Sequence, residues 1–226
     1  MGLFEDDEEY KKDLARRKVK KAEMMGKWVT VLFRLQIVAI VGSVLSSDLF
    51  ENVPPIYFLG SLISFGIMIA NSIILIRLKE VEDWFGKAGI CYLISGCSGI
   101  VIALLMLGGA DVLGGVLSFA MTIVALRGNY DECTGYEVSL QDVEKKLSDQ
   151  WSTQWMLELI CILSTLGVSF LMLIGAALLS MGVIIVCLVL FLAVLVASLV
   201  VGIRRLVYLH RTADCFQHYY PEEDAE

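Results

Sequence analysis

The side chains that could do chemistry in this sequence are few and stand in costly places. Arg34 interrupts an otherwise uncharged run from Trp28 to Ser47. It lies seven residues beyond Lys27, which is about 10 Å along a helix. At that depth a long side chain can snorkel to the headgroups, meet a carboxylate of another helix, or sit at the mouth of a pathway. Glu158, three residues after Trp155, is the candidate partner, and an Arg34–Glu158 ion pair would tie the first spans of the chain to the last. His210, Cys215 and His218, with Asp214 nearby, are metal-ligand types. Their spacing matches no C-x-x-C or H-x-x-x-H pair, so no metal site is expected. Gly108, Gly109, Gly114 and Gly115 surround Asp111. Such a turn could dip into a membrane and present carbonyls to an ion, or be no more than a tight turn.

Signatures of catalysis are missing. The sequence contains no H-E-x-x-H, no G-x-S-x-G and no phosphate-binding loop. Its two histidines lie near one end, which leaves little material for acid–base work, so neither an enzyme nor a cofactor is expected. Cys91, Cys97, Cys161 and Cys187 fall in apolar runs, while Cys133 and Cys215 fall on the reducing side of the topology derived below, so a structural disulfide is not expected.

The elements that would hold these residues follow from composition. Of the 226 residues, 57% are hydrophobic, against roughly 45–50% in soluble domains. The mean hydropathy is +0.72, and the apolar residues come in blocks rather than at amphipathic spacing. An ordinary soluble protein is thereby excluded. A span needs about 20 apolar residues. Residues 52–76, 88–110 and 159–203 are uncharged for 25, 23 and 45 residues, the last long enough for two crossings with a turn at Ser180 and Gly182. Between Asp111 and Arg127 only 15 uncharged residues remain, and a re-entrant hairpin is the alternative to a span there. The expected fold is all-α: a polytopic membrane protein with six transmembrane helices arranged as three hairpins, with spans at 28–47, 55–76, 88–108, 112–127, 155–178 and 182–204. A charged segment at 1–27, an amphipathic linker at 128–154 and an acidic tail at 205–226 complete the chain.

Charge placement fixes the direction. Of 18 Lys and Arg residues, eight precede the first span, and the outer loops carry Asp48, Glu51 and Asp111 but no Lys or Arg. The positive-inside rule therefore puts both termini in the cytoplasm, in a multi-pass cell-membrane protein. The acidic Glu5 to Glu9 and the long polar lead do not resemble a signal peptide. The net charge of −7 argues against nucleic acid as a partner.

Two cytoplasmic segments read as surface helices. Lys11, Lys12, Arg16, Arg17, Lys18, Lys20 and Lys21 could contact anionic lipid headgroups, at about 1 kcal/mol per charge, or serve only as topogenic charge. Ser139 and Asp142 resemble a capping box before the apolar stripe Leu140, Val143, Leu147 and Trp151. Trp28, Trp84, Trp151 and Trp155 are expected as interfacial anchors. A shift of 127 residues aligns Trp28 with Trp155 and Ile76–Arg77 with Ile203–Arg204. The match is either a repeated hairpin or the recurrence of belt residues. Gly60 with Ser64, Gly66 with Ala70, and Ser95 with Gly99 have the small-residue spacing of close helix contacts.

Because the spans hold so few polar groups, the expected role is a non-enzymatic subunit, scaffold or regulator acting through lipid, a protein partner or its own oligomer. A solute or ion transporter with a path between the hairpins, reaching Asn71 or Ser164, is the alternative.

Overall fold

The computed structural model describes residues 3–47, 53–177 and 181–219, except for the side chains of residues 3–9, 11 and 12. It holds α1 (Leu3–Leu45), α2 (Pro54–Leu78), α3 (Asp83–Leu107), α4 (Asp111–Leu140), α5 (Lys145–Ala177) and α6 (Met181–Gln217). Each is long and apolar enough to cross a membrane, and the described residues contain no strand. The protein is a six-helix integral membrane protein.

Helix boundaries follow local chemistry. α2 opens on Pro54 and Pro55, where a missing N–H costs nothing because the first turn has no intrahelical acceptor for it. α3 ends in a Schellman turn. Ala110 N–H reaches the Leu105 carbonyl at 2.9 Å and Gly109 N–H reaches that of Met106 at 3.1 Å. Gly109 takes φ +78°, a left-handed conformation that a Cβ would penalise. The glycine-rich stretch is thus a tight turn. α4 runs unbroken for 30 residues, so the short fourth span is a full helix and not a re-entrant hairpin. The turn expected at Ser180 and Gly182 falls partly on residues 178–180, outside the described residues; Gly182 itself lies in the first turn of α6.

The expected linker at 128–154 does not exist as a separate surface helix. α4 continues to Leu140, residues 141–144 turn, and α5 starts at Lys145. Glu144, rather than Ser139, accepts the first amides of α5, from Leu147 at 3.0 Å and Ser148 at 3.0 Å. The apolar stripe is real but points inward: Leu140, Leu147 and Trp151 are fully buried. An apolar face cannot by itself distinguish a membrane surface from the interior of a bundle.

Each helix packs on its neighbours in sequence, and α6 packs back on α1, which closes a ring of six. The two ends of this ring differ. The end bearing the described chain ends, here the basic end, is closed by a plug to which every helix contributes, including Met25, Leu78, Phe85, Tyr136, Trp151 and Leu209. Trp151 stacks on Tyr136 at 4.3 Å and meets Tyr208 edge-on at 6.0 Å, and Phe85 meets Tyr136 at 4.9 Å. Each such pair adds about 0.5–1.5 kcal/mol beyond its area burial. The Trp151 indole N–H donates to Thr212 Oγ1 at 3.0 Å, and both residues are 0% exposed.

Toward the far end the faces turn outward. Leu107 is 86% exposed and Val112 80%, as side chains bathed in lipid would be. Close contact there lies within hairpins. A Cβ on Gly60 would stand 2.6 Å from Ser46 N and 2.7 Å from Leu45 C, so this glycine lets α1 and α2 touch backbone to backbone. Gly66 and Gly99, expected at such contacts, have no atom in reach of an added Cβ beyond their own helix. Ser95 does bridge α3 to α4, donating to the Met121 carbonyl at 3.4 Å.

Candidate functional site

Above the plug lies a cavity of about 660 Å³ that every helix helps to line. Its floor is an arginine. Arg205, two residues past Ile203 in α6, points inward, with its side chain 18% exposed. Nη2 meets Glu132 Oε2 of α4 at 2.6 Å, and Nη1 meets Glu158 Oε2 of α5 at 2.9 Å. Nη1 also donates to Asn129 Oδ1 at 2.6 Å. The planar guanidinium fork suits this geometry, because its donors diverge toward two carboxylates at once.

A second layer fixes the carboxylates. Tyr92 of α3 donates its hydroxyl to Glu132 Oε2 at 2.9 Å. Gln154 Nε2 reaches Glu158 Oε1 at 2.7 Å and the Val201 carbonyl at 3.0 Å, and Asn129 Nδ2 donates to Glu158 Oε2. Four helices are thereby joined through one buried network. Glu132 and Glu158 side chains are 7% and 13% exposed. Removing one partner from such a pair costs about 3–5 kcal/mol, since the other charge stays buried. Higher in the chamber the wall carries Gln36, Ser43, Ser64, Asn71, Thr122 and Ser198 among apolar side chains. Asn71 Oδ1 and Ser64 Oγ are buried and have no hydrogen-bond partner in the structure.

Arg34 and Glu158 are not brought together. Arg34 is exposed, whereas Leu32 and Gln36, each about 200° around the helix at 100° per residue, line the chamber. Arg34 thus faces away from the chamber, and Glu158 pairs with Arg205 instead. Trp151 is not an interfacial anchor, because its indole is the buried centre of the plug. Trp28, Trp84 and Trp155 are partly buried. Cations lie over two of them: Arg77 and Lys27 each 5.4 Å from Trp28, and Lys87 4.1 Å from Trp84.

The basic run of α1 divides. Arg17 pairs with Asp13 at 2.9 Å, and Lys21 donates to the Val81 carbonyl at 3.1 Å, fastening the α2–α3 turn. Arg16, Lys18 and Lys20 are exposed, and the side chains of residues 11 and 12 lie outside the described part. His210, Cys215 and His218 turn to different partners: Phe33 at 5.2 Å, Glu144 at 2.7 Å and Asp214 at 3.2 Å. Ser164 lines a separate groove of about 490 Å³ between α5 and α6.

Arg205, Glu132 and Asn129 were outside the sequence expectations because each falls just beyond an uncharged run, where basic and acidic residues read as loop. A signal existed. Asn129, Glu132, Cys133, Tyr136 and Leu140 recur at helical spacing, so continuing α4 past Arg127 would have placed them on one inward face. Compared with known proteins, the chain matches no family model, no curated protein and no solved structure.

Proposed function

We propose that the protein binds and carries a small polar solute in the central chamber. One observation carries this reading: a cavity of about 660 Å³, touched by all six helices, has a buried Arg–Glu–Glu network for its floor. Buried ionisable groups within a membrane protein are expensive, and they are expected where a solute or ion must be met. The volume lies within the roughly 300–1,000 Å³ of small-molecule sites. Support for a subunit or scaffold came from the scarcity of polar groups in the spans, and Asn129, Glu132, Glu158 and Arg205 remove that support. No catalytic step belongs to this reading.

The concentration of Lys and Arg at one end of the ring supports a cytoplasmic orientation for that end, and a cell membrane as the location, on the positive-inside rule. The exposed Arg16, Lys18 and Lys20 then face its anionic headgroups.

Thiol accessibility tests the proposal. The six native cysteines are free and must first be replaced. Asn71→Cys should then react with a small, membrane-impermeant thiol reagent, and Leu107→Cys, on the outer surface, should not. Protection of both positions would reject a solute chamber and return the subunit or scaffold reading.

A further inference from the structure

The chamber carries unequal charge. Its lining contains two acidic side chains, Glu132 and Glu158, against one basic side chain, Arg205, so one carboxylate is uncompensated. The hydrogen bonds locate which. Both oxygens of Glu158 are engaged, Oε1 by Gln154 and Oε2 by Asn129 and Arg205. On Glu132, Oε2 accepts from Arg205 and Tyr92, whereas Oε1 accepts no bond from the described residues. Glu132 is 5% exposed and lines the chamber.

Two further polar atoms of lining residues have no hydrogen-bond partner, although both are closed off from water. Asn71 Oδ1 can only accept a hydrogen bond, whereas the Ser64 hydroxyl can donate as well as accept. They stand seven residues apart on α2, about 10 Å along the axis. Between them and the floor, the walls are largely hydrocarbon, from Leu32, Ile67, Leu75 and Val201. An anion would meet net repulsion from the two carboxylates of the floor. A neutral solute would leave the excess carboxylate unbalanced in a medium where charge is costly. A bare metal ion would fill little of the space, and no group of three or more His, Cys, Asp or Glu that could hold one occurs among the described residues.

We infer that the chamber takes a small organic cation, whose ammonium group sits at Glu132 Oε1 while its hydrocarbon part lies along α2 toward Asn71 and Ser64. The inference rests on the reading of the chamber as a solute site and names the class of solute.

The test uses the full chain in lipid nanodiscs, with Asn71→Cys as the reporter. Choline and n-butylammonium at millimolar concentration should slow its labelling at least fivefold, whereas n-butyrate and n-butanol should not. Adding Glu132→Gln should abolish the protection without stopping the labelling. If that variant does not fold, titration calorimetry of the unmodified chain makes the same comparison, with heat expected from n-butylammonium and none from n-butyrate. Labelling that no ammonium slows, or that butyrate slows equally, overturns the cation inference and leaves the chamber standing. Slowing by sodium chloride alone, against sucrose of equal osmolarity, overturns it in favour of an inorganic ion. Absence of any labelling removes the chamber itself, and the inference with it.

Discussion

The two halves of this ring are built from the same six helices yet obey different rules. In the basic half, side chains from different hairpins meet each other. Trp151 of the third hairpin stacks on Tyr136 of the second, and Arg205 of the third meets Glu132 of the second. In the far half, large apolar side chains such as Leu107, Val112 and Met181 point outward, and close contact is made by glycines within a hairpin. Lipid tails are as apolar as leucine, so burying leucine against leucine gains little there. Specific geometry has to come from hydrogen bonds, ions and interlocking rings, and these are concentrated at the basic end. The chamber lies where the two regimes join, so its floor is rigid while its upper walls are held mainly hairpin by hairpin.

The sharpest way to break that contrast is Arg205→Met. It leaves Glu132 and Glu158 buried and unpaired, with an expected loss of about 3–5 kcal/mol, read as a fall in melting temperature in detergent. A loss no greater than that of a lipid-facing substitution would mean that the ionic floor does not hold the ring. Trp151→Ala follows closely, at about 3–5 kcal/mol for emptying the plug, and should also expose Thr212 to faster amide exchange. A subtler probe is Thr212→Val, which keeps the shape and strips the indole N–H of its acceptor. About 1–3 kcal/mol should be lost, and the Trp151 fluorescence should shift while the far half stays unchanged.

In the far half, Gly60→Val forces a side chain against the α1 backbone and should cost about 1–3 kcal/mol. Disulfide trapping between α1 and α2 would register the separation. The smallest effect belongs to Arg34→Met, which should move the melting temperature by less than about 0.5 kcal/mol in equivalent stability. A large loss there would reveal a partner that the outward orientation does not provide.

Much of the fold was legible in the amino-acid sequence because the membrane imposes a length on apolar runs. The uncharged blocks fall in the helices, the 45-residue block divided between α5 and α6, and even the 15-residue block before Arg127 belongs to one. The site was less legible, for a physical reason. Hydropathy locates where a helix stops being surrounded by lipid, which is not where the helix stops. Glu132 and Arg205 lie just past that limit, in stretches with the composition of loops, yet they are still inside the bundle. Glu158 was recognisable as one half of an ion pair. Its partner was not, because the direction of Arg34 depends on which face of α1 turns toward α2 and α6. Trp151 was misassigned for a related reason: an interfacial tryptophan and a plug tryptophan sit at the same depth and differ only in azimuth.

The closure of the ring by α6 against α1 sets an order of events during synthesis. Helices leave the ribosome in sequence, so Glu132 and Glu158 of α4 and α5 reach the membrane before Arg205 of α6 does. Thr212, the acceptor for the Trp151 indole, also arrives with the last helix. An incomplete chain therefore bears two lone acids and an unsatisfied indole at the edge of the bilayer. α6 removes all three defects at once. The stretch of α6 from Arg205 to Thr212 thus closes, in one helix, a charge and hydrogen-bond network that α4 and α5 alone leave open.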